Sequence, residues 1–147
     1  MPYPVFMKGG DLSIPMSTLS DTSKEEHSMK SKQLLEDLEF HDVVPFAQPI
    51  MVDANSRILR WTLKPGQKVE EHQVPDSPLY AVIIKGRGMF AGGDGQEREY
   101  GLNDLLIFAP GEKHTVRALD DELVFVSFLR SVDTMRTDRV GGEIGRE

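Results

Sequence analysis

The sequence predicts an all-β fold, one small antiparallel β-barrel or jelly roll of two facing sheets, preceded by a short helix and a flexible arm. Three observations carry this. Past Pro49 the chain breaks into short apolar runs, "RILRWTL", "LYAVIIKG", "GMFAGG", "DLLIFA", "HTVRAL" and "ELVFVSFL", spaced as in sandwiches and barrels. Between them stand turn signals, "KPGQ", "GRG", "GGDG", "PGEK" and "LDDE". These are too short to hold a crossover helix, so the strands must pair largely antiparallel. The length of 147 residues, 39% of them hydrophobic, suits one buried core and is too short for two.

In chain order, residues 1–31 are rich in Pro, Gly, Ser, Thr and charge, with scattered apolar residues, and read as a flexible arm. The barrel domain is expected over 32–147. Met29 stands where order begins and is a candidate native start. "MKSKQLLEDLEF" puts Leu34, Leu35 and Leu38 at helical spacing among acids and lysines, which predicts a short amphipathic helix. Pro45 and Pro49 forbid its continuation. Further on, Gly92, Gly93 and Gly95 around Asp94 suit a tight hairpin.

Two runs are apolar on both faces. In "LYAVII", Leu79, Ala81 and Ile83 point one way and Tyr80, Val82 and Ile84 the other; "VFVSFL" repeats the pattern. Such strands need a second layer, from the N-terminal segment or another subunit, and a homodimer is the simplest supply.

Charge and composition exclude several function classes. A net charge of −7 without a Lys/Arg cluster argues against nucleic acid and anionic membranes, which need a basic face. No apolar run approaches the ~18 residues of a membrane-spanning helix, and the first residues lack a signal-peptide core, so a cytoplasmic location is expected. Cysteine is absent, which removes disulfides and thiolate chemistry. Any metal must be held by His, Asp, Glu or water. No Ser-His-Asp arrangement or carboxylate pair stands out, so nothing supports hydrolysis by a protein nucleophile. "GRG" and "GGDG" precede no helix and read as hairpin glycines rather than phosphate cradles. Trp61 and Phe90 read as core or pocket wall, and His27 and His41 as surface residues.

The chemistry concentrates in two stretches. Gly66 is followed after five residues by His72, and later Leu79 is followed after six by Gly86; downstream comes "DLLIFAPGEKHTVRAL". In order, spacing and residue type these resemble the two motifs of the cupin superfamily, over roughly Ser56 to Arg130. The first motif there runs Gly, five residues, His, one residue, His, three or four residues, Glu, six residues, Gly. The second holds Pro, one residue, Gly, two residues, His. The resemblance implies a cupin-type barrel, with His72 matching the first ligand and His114 the histidine of the second motif. Val74 stands at the second histidine and Leu79 at the glutamate, while Ala109 takes the usual proline position beside Pro110.

What the resemblance leaves is a degenerate metal site of His72 and His114. Strand alternation puts Glu70 on the face of His72 and makes it a substitute carboxylate, with Asp76 as another; Glu71 and Gln73 should face away. The implied cofactor is at most one divalent cation, Fe, Mn, Ni or Zn. In an oxygenase or isomerase such an ion wants about three protein ligands and open positions.

Three functions stay open. The leading one is a sensor, carrier or accessory protein that binds a small molecule in the barrel cavity, with His72 and His114 as polar anchors among the walls Val74, Leu79 and Phe90. The alternative is a mononuclear metal-dependent enzyme of dioxygenase or isomerase type, its catalytic residues otherwise unidentified. The third is a purely structural barrel whose interior is filled by side chains.

Overall fold

The computed structural model describes residues 28–131 and the backbone of the two-residue strand β1 (Phe6–Met7). The remaining strands are β2 (Phe46–Val52), β3 (Ser56–Leu63), β4 (Lys68–His72), β5 (Leu79–Lys85), β6 (Arg87–Ala91), β7 (Arg98–Gly101), β8 (Leu105–Phe108), β9 (His114–Ala118) and β10 (Leu123–Arg130). They form a six-stranded sheet, β1-β2-β3-β10-β5-β8, and a four-stranded sheet, β4-β9-β6-β7. All pairings are antiparallel except β1 with β2. From β3 to β10 each strand passes to the other sheet except at the β6–β7 hairpin, which is the winding of a jelly roll. The arm expected over 1–31 lies outside the described residues apart from Phe6–Met7 and 28–31.

Alternation along the strands builds the interior. Leu59, Trp61 and Leu63 of β3, Leu79, Ala81 and Ile83 of β5, and Phe125 and Leu129 of β10 meet Val69, Phe90, Val116 and Ala118 of the smaller sheet in one buried cluster. Trp61 stacks on Phe125 with ring centroids 5.8 Å apart, and Phe90 meets Phe125 edge to face at 5.7 Å. The indole N–H of Trp61 donates to Ser127 Oγ across 3.1 Å, so the one polar atom of that ring has a partner inside the core.

The helix expected across "MKSKQLLEDLEF" is absent, and no described residue is helical. The segment makes a single turn, closed by Glu36 N–H to Gln33 C=O at 3.3 Å, and Asp37 takes a left-handed φ of 56°. The cause lies on β3. Arg60, buried on the outer face, donates from Nη1 to the carbonyls of Leu34 (2.9 Å) and Glu36 (3.0 Å) and from Nη2 to that of Asp37 (3.3 Å). Thr62 Oγ1 donates to the Glu39 carbonyl. Oxygens that a helix would use internally are drawn to the sheet instead, and charge-assisted bonds of this kind outweigh helix propensity summed over one or two turns.

The same segment supplies part of the second layer that the two-faced strands require. It covers the outer face of β3. On β5, β8 and β10 the outward side chains of Tyr80, Leu105, Ile107 and Phe128 remain exposed. Tyr80 is in register with Ile107 and with Phe128, so they form one apolar patch.

Candidate functional site

His72 ends β4 and His114 begins β9, directly opposite one another in the register. Reaching this pairing takes an irregularity: from the Val69–Val116 pair, β4 advances three residues while β9 advances two. This β-bulge adds one residue and reverses the alternation behind it. Glu70 therefore does not share the face of His72. Its side chain is exposed and its carboxylate lies 3.9 Å from Lys68 Nζ, which corrects the expectation that it would be the substitute ligand. Asp76 is exposed as well. Among the described residues no third His, Asp or Glu joins the two imidazoles in a metal-holding group.

The pair itself is tightly organised. The two Nε2 atoms stand 3.1 Å apart, with ring centroids separated by 4.1 Å and planes at 64°. His72 Nδ1 lies 3.3 Å from the Glu70 carbonyl oxygen and His114 Nδ1 lies 3.1 Å from that of Glu112. A carbonyl oxygen can only accept, so hydrogen on Nδ1 suits both rings, and the 3.1 Å between the Nε2 atoms suits a hydrogen or a cation shared between them. Burial pushes the His72 pKa down to about 3, helped by the neighbouring His114 and opposed by the Glu70 carbonyl. Burial also lowers that of His114, against the pull of Glu112. Burial thus favours the neutral form of both rings, whose Nε2 atoms face one point.

Phe108, at the end of β8, stacks on His114 with centroids 4.7 Å apart and planes at 29°. Glu112 lies in the turn between β8 and β9. Its Oε1 accepts from Ala109 N–H and its Oε2 from Gly93 N–H, both at 2.8 Å. These two donors hold its carboxyl below the usual range. Neither residue was singled out by its sequence pattern.

Of the expected pocket walls, Leu79 (8% exposed) and Phe90 (3%) belong to the core, and Val74 is half-buried against it. Phe90 packs on Phe125 and Tyr100, which fixes it as filling rather than as a free wall. Open space lies beside His114 instead, in a cleft of about 550 Å³ between β4 and the β6–β7 turn, lined by Lys68, Glu71, Gly92, Gly93, Lys113 and Thr115 among others. His41 is half-buried, its Nδ1 accepting from the Val43 and Val44 amides.

A divalent cation is the group to test against this geometry. Two nitrogens each about 2.1 Å from one ion, at right angles about it, stand about 3.0 Å apart. The observed 3.1 Å meets this, and an Nδ1–H bonded to a carbonyl is the usual support of a ligating imidazole. The donors therefore fit an ion held at two adjacent positions, with the others left to water or ligand oxygens. Val74 and Leu79, apolar where the resemblance expects ligands, add none.

Fold and site together define a double-stranded β-helix protein with a pair of facing histidines at one barrel mouth. The model of the family described as Cupin domain matches residues 59–129. The chain belongs to the cupin superfamily. Solved structures agree on the fold. An uncharacterised conserved protein with a double-stranded β-helix domain from Klebsiella pneumoniae superimposes with a TM-score of 0.65 at 20% identity, over 70% of this chain and 90% of that one. An RmlC-like cupin from Desulfovibrio desulfuricans gives 0.63 at 28% identity, over 69% and 96%. KdgF from a Halomonas species gives 0.60 at 13%, over 72% and 96%. No curated protein matches the sequence significantly. Among the described residues no helix is long and apolar enough to cross a membrane.

Proposed function

We propose that this chain binds a small oxygen-bearing molecule at the mouth of its barrel, together with one divalent cation that His72 and His114 share, in a sensor, carrier or accessory role. The observation that carries this reading is the approach of two Nε2 atoms to 3.1 Å with both Nδ1 atoms against backbone carbonyls. Lone pairs so placed repel unless they share an electrophile. With only two side-chain donors, the remaining positions suit ligand oxygens. The cation, when bound, would act as a Lewis acid on the ligand oxygen. The interior beyond the mouth is filled by aromatic and aliphatic side chains, so the ligand sits at the rim.

Calorimetric titration of cation-free protein with Co²⁺ and Ni²⁺ tests this. One equivalent bound by the native chain and none by the His72→Ala, His114→Ala double variant is the expected result. Absence of binding in the native chain, with or without a panel of small carboxylic and hydroxy acids, would overturn it.

The proposed protein partner is a second copy, seated on the patch of Tyr80, Leu105, Ile107 and Phe128. β8 is the edge strand of its sheet, and the outward side chains of β5 and β8 in this block carry no charge, as a two-fold apolar contact needs. Sedimentation equilibrium should show a dimer that Ile107→Lys splits; a native monomer would sink the idea.

A further inference from the structure

His114 can offer its Nε2 lone pair to the barrel mouth only while its Nδ1–H stays on the Glu112 carbonyl, 3.1 Å away. That carbonyl lies in a turn rather than a strand, so something outside the β-ladder must hold it still. The side chain of the same residue does so. One carboxylate oxygen takes the Ala109 amide within the turn, and the other takes the Gly93 amide of the β6–β7 turn on a different part of the sheet. The Glu112 N–H closes the turn on the Ala109 carbonyl at 3.0 Å, and Gly111 N–H reaches the Val74 carbonyl at 2.7 Å, two residues past His72. The turn is thereby fastened to both sides of the mouth.

The chemistry demands a carboxylate here. Two N–H donors converge on one side-chain end, and only a carboxylate offers two acceptor oxygens; an amide of the same length would point its NH₂ at one donor. A Cβ on Gly92 would stand 2.6 Å from Glu112 Oε2 and so would push the carboxylate from its place.

We propose that Glu112 is the positioning residue of the site, bridging the β6–β7 and β8–β9 turns through its carboxylate so that its own carbonyl fixes His114 with the Nε2 lone pair facing His72. The part of this that concerns cation affinity rests on the reading above; the part that concerns the imidazole does not.

The test is long-range ¹H–¹⁵N NMR on cation-free, ¹⁵N-histidine-labelled protein, which reads the tautomer of each ring. The native chain should show His114 with its hydrogen on Nδ1. Glu112→Ala should shift it to a mixture of tautomers. Gly92→Ala, which leaves Glu112 in the chain but displaces its carboxylate, should move it the same way, and Glu112→Gln should fall between. Glu99→Ala, which breaks an exposed pair with Arg87 across the sheet, should change nothing. An unchanged Nδ1–H tautomer in both Glu112→Ala and Gly92→Ala would overturn the proposal. Folding is checked in the same samples by the Trp61 indole N–H resonance, and Glu112→Gln serves should the alanine variant unfold. Co²⁺ affinity should fall about tenfold in Glu112→Ala, as for loss of an outer hydrogen-bonding partner. If Co²⁺ binds no variant and not the native chain, the cation reading fails while the tautomer result still decides the role of Glu112.

Discussion

At one end of the barrel Leu63, Ile83, Ala118 and Leu123 close on one another, each essentially fully buried; at the other, His72 and His114 face each other beside the ring of Phe108. The same strands run through both ends, so the contrast arises from a few positions and from the turns. The closed end also borrows backbone hydrogen bonds from turns, Ile83 with Asn103 and Asp104 and Ala118 with Gly66 and Gln67, but it fills its volume with carbon. The open end is held by hydrogen bonds from turns, including those of Glu112, and keeps polar atoms aimed at a shared point. Stability and binding are thus expected to reside in different residues.

The largest expected effect sharpens that separation. Phe125→Ala removes the ring that touches both Trp61 and Phe90 and should cost about 3–5 kcal/mol, read by urea unfolding, while the stoichiometry of Co²⁺ binding in the folded fraction stays at one. Next comes the reverse case. The His72→Ala, His114→Ala double variant should lose at least about a hundredfold in Co²⁺ affinity, about 2.7 kcal/mol, yet unfold within about 1 kcal/mol of the native chain at pH 8. Should the double variant unfold as readily as Phe125→Ala, the two ends are not separable.

The pH dependence of cation-free stability tests the buried neutral state of His72. Its folded pKa of about 3 lies below the ordinary 6.5, so between those values the unfolded chain binds more protons than the folded one. Stability from this group is full above pH 6.5 and is lost as pH falls toward 3, with a slope of at most about 1.4 kcal/mol per pH unit. Unfolding measured with a chelator present should show a slope that His72→Gln reduces; an unaltered slope would contradict the burial argument. The smallest effect expected is a gain. Val74→His restores a donor at the half-buried position where the family pattern has one and should tighten Co²⁺ by about tenfold, near 1.4 kcal/mol. No gain would mean that the chain past the bulge aims this position elsewhere.

Much of the fold was legible because alternation and turn chemistry are local. Leu79, Ala81 and Ile83 point inward as period two requires, and Gly66, Gly95 and Gly111 take the positive φ of their turns. Strand β2 was hidden by Pro49, which the sheet accommodates at a register shift next to it. Strand β7, Arg98–Gly101, is short and carries no apolar run. The missing helix could not be foreseen because its competitor, Arg60, lies more than twenty residues downstream. At the site, the spacing of two motifs placed His72 and His114 together, but Glu70 was misplaced because a bulge reverses alternation without altering the residues that flank it. Glu112 and Phe108 act through the way turns from separate hairpins meet, and no local pattern encodes that meeting.

The tie between Arg60 and the segment ahead of the barrel has an evolutionary corollary. Its partners between Leu34 and Asp37 are main-chain oxygens, which every amino acid carries. The tether therefore prescribes a path but not a text: residues along it are free to drift so long as the backbone can follow the same turn, whereas the arginine that reads them is not. Relatives that share this arrangement should keep the arginine and vary the segment it grips.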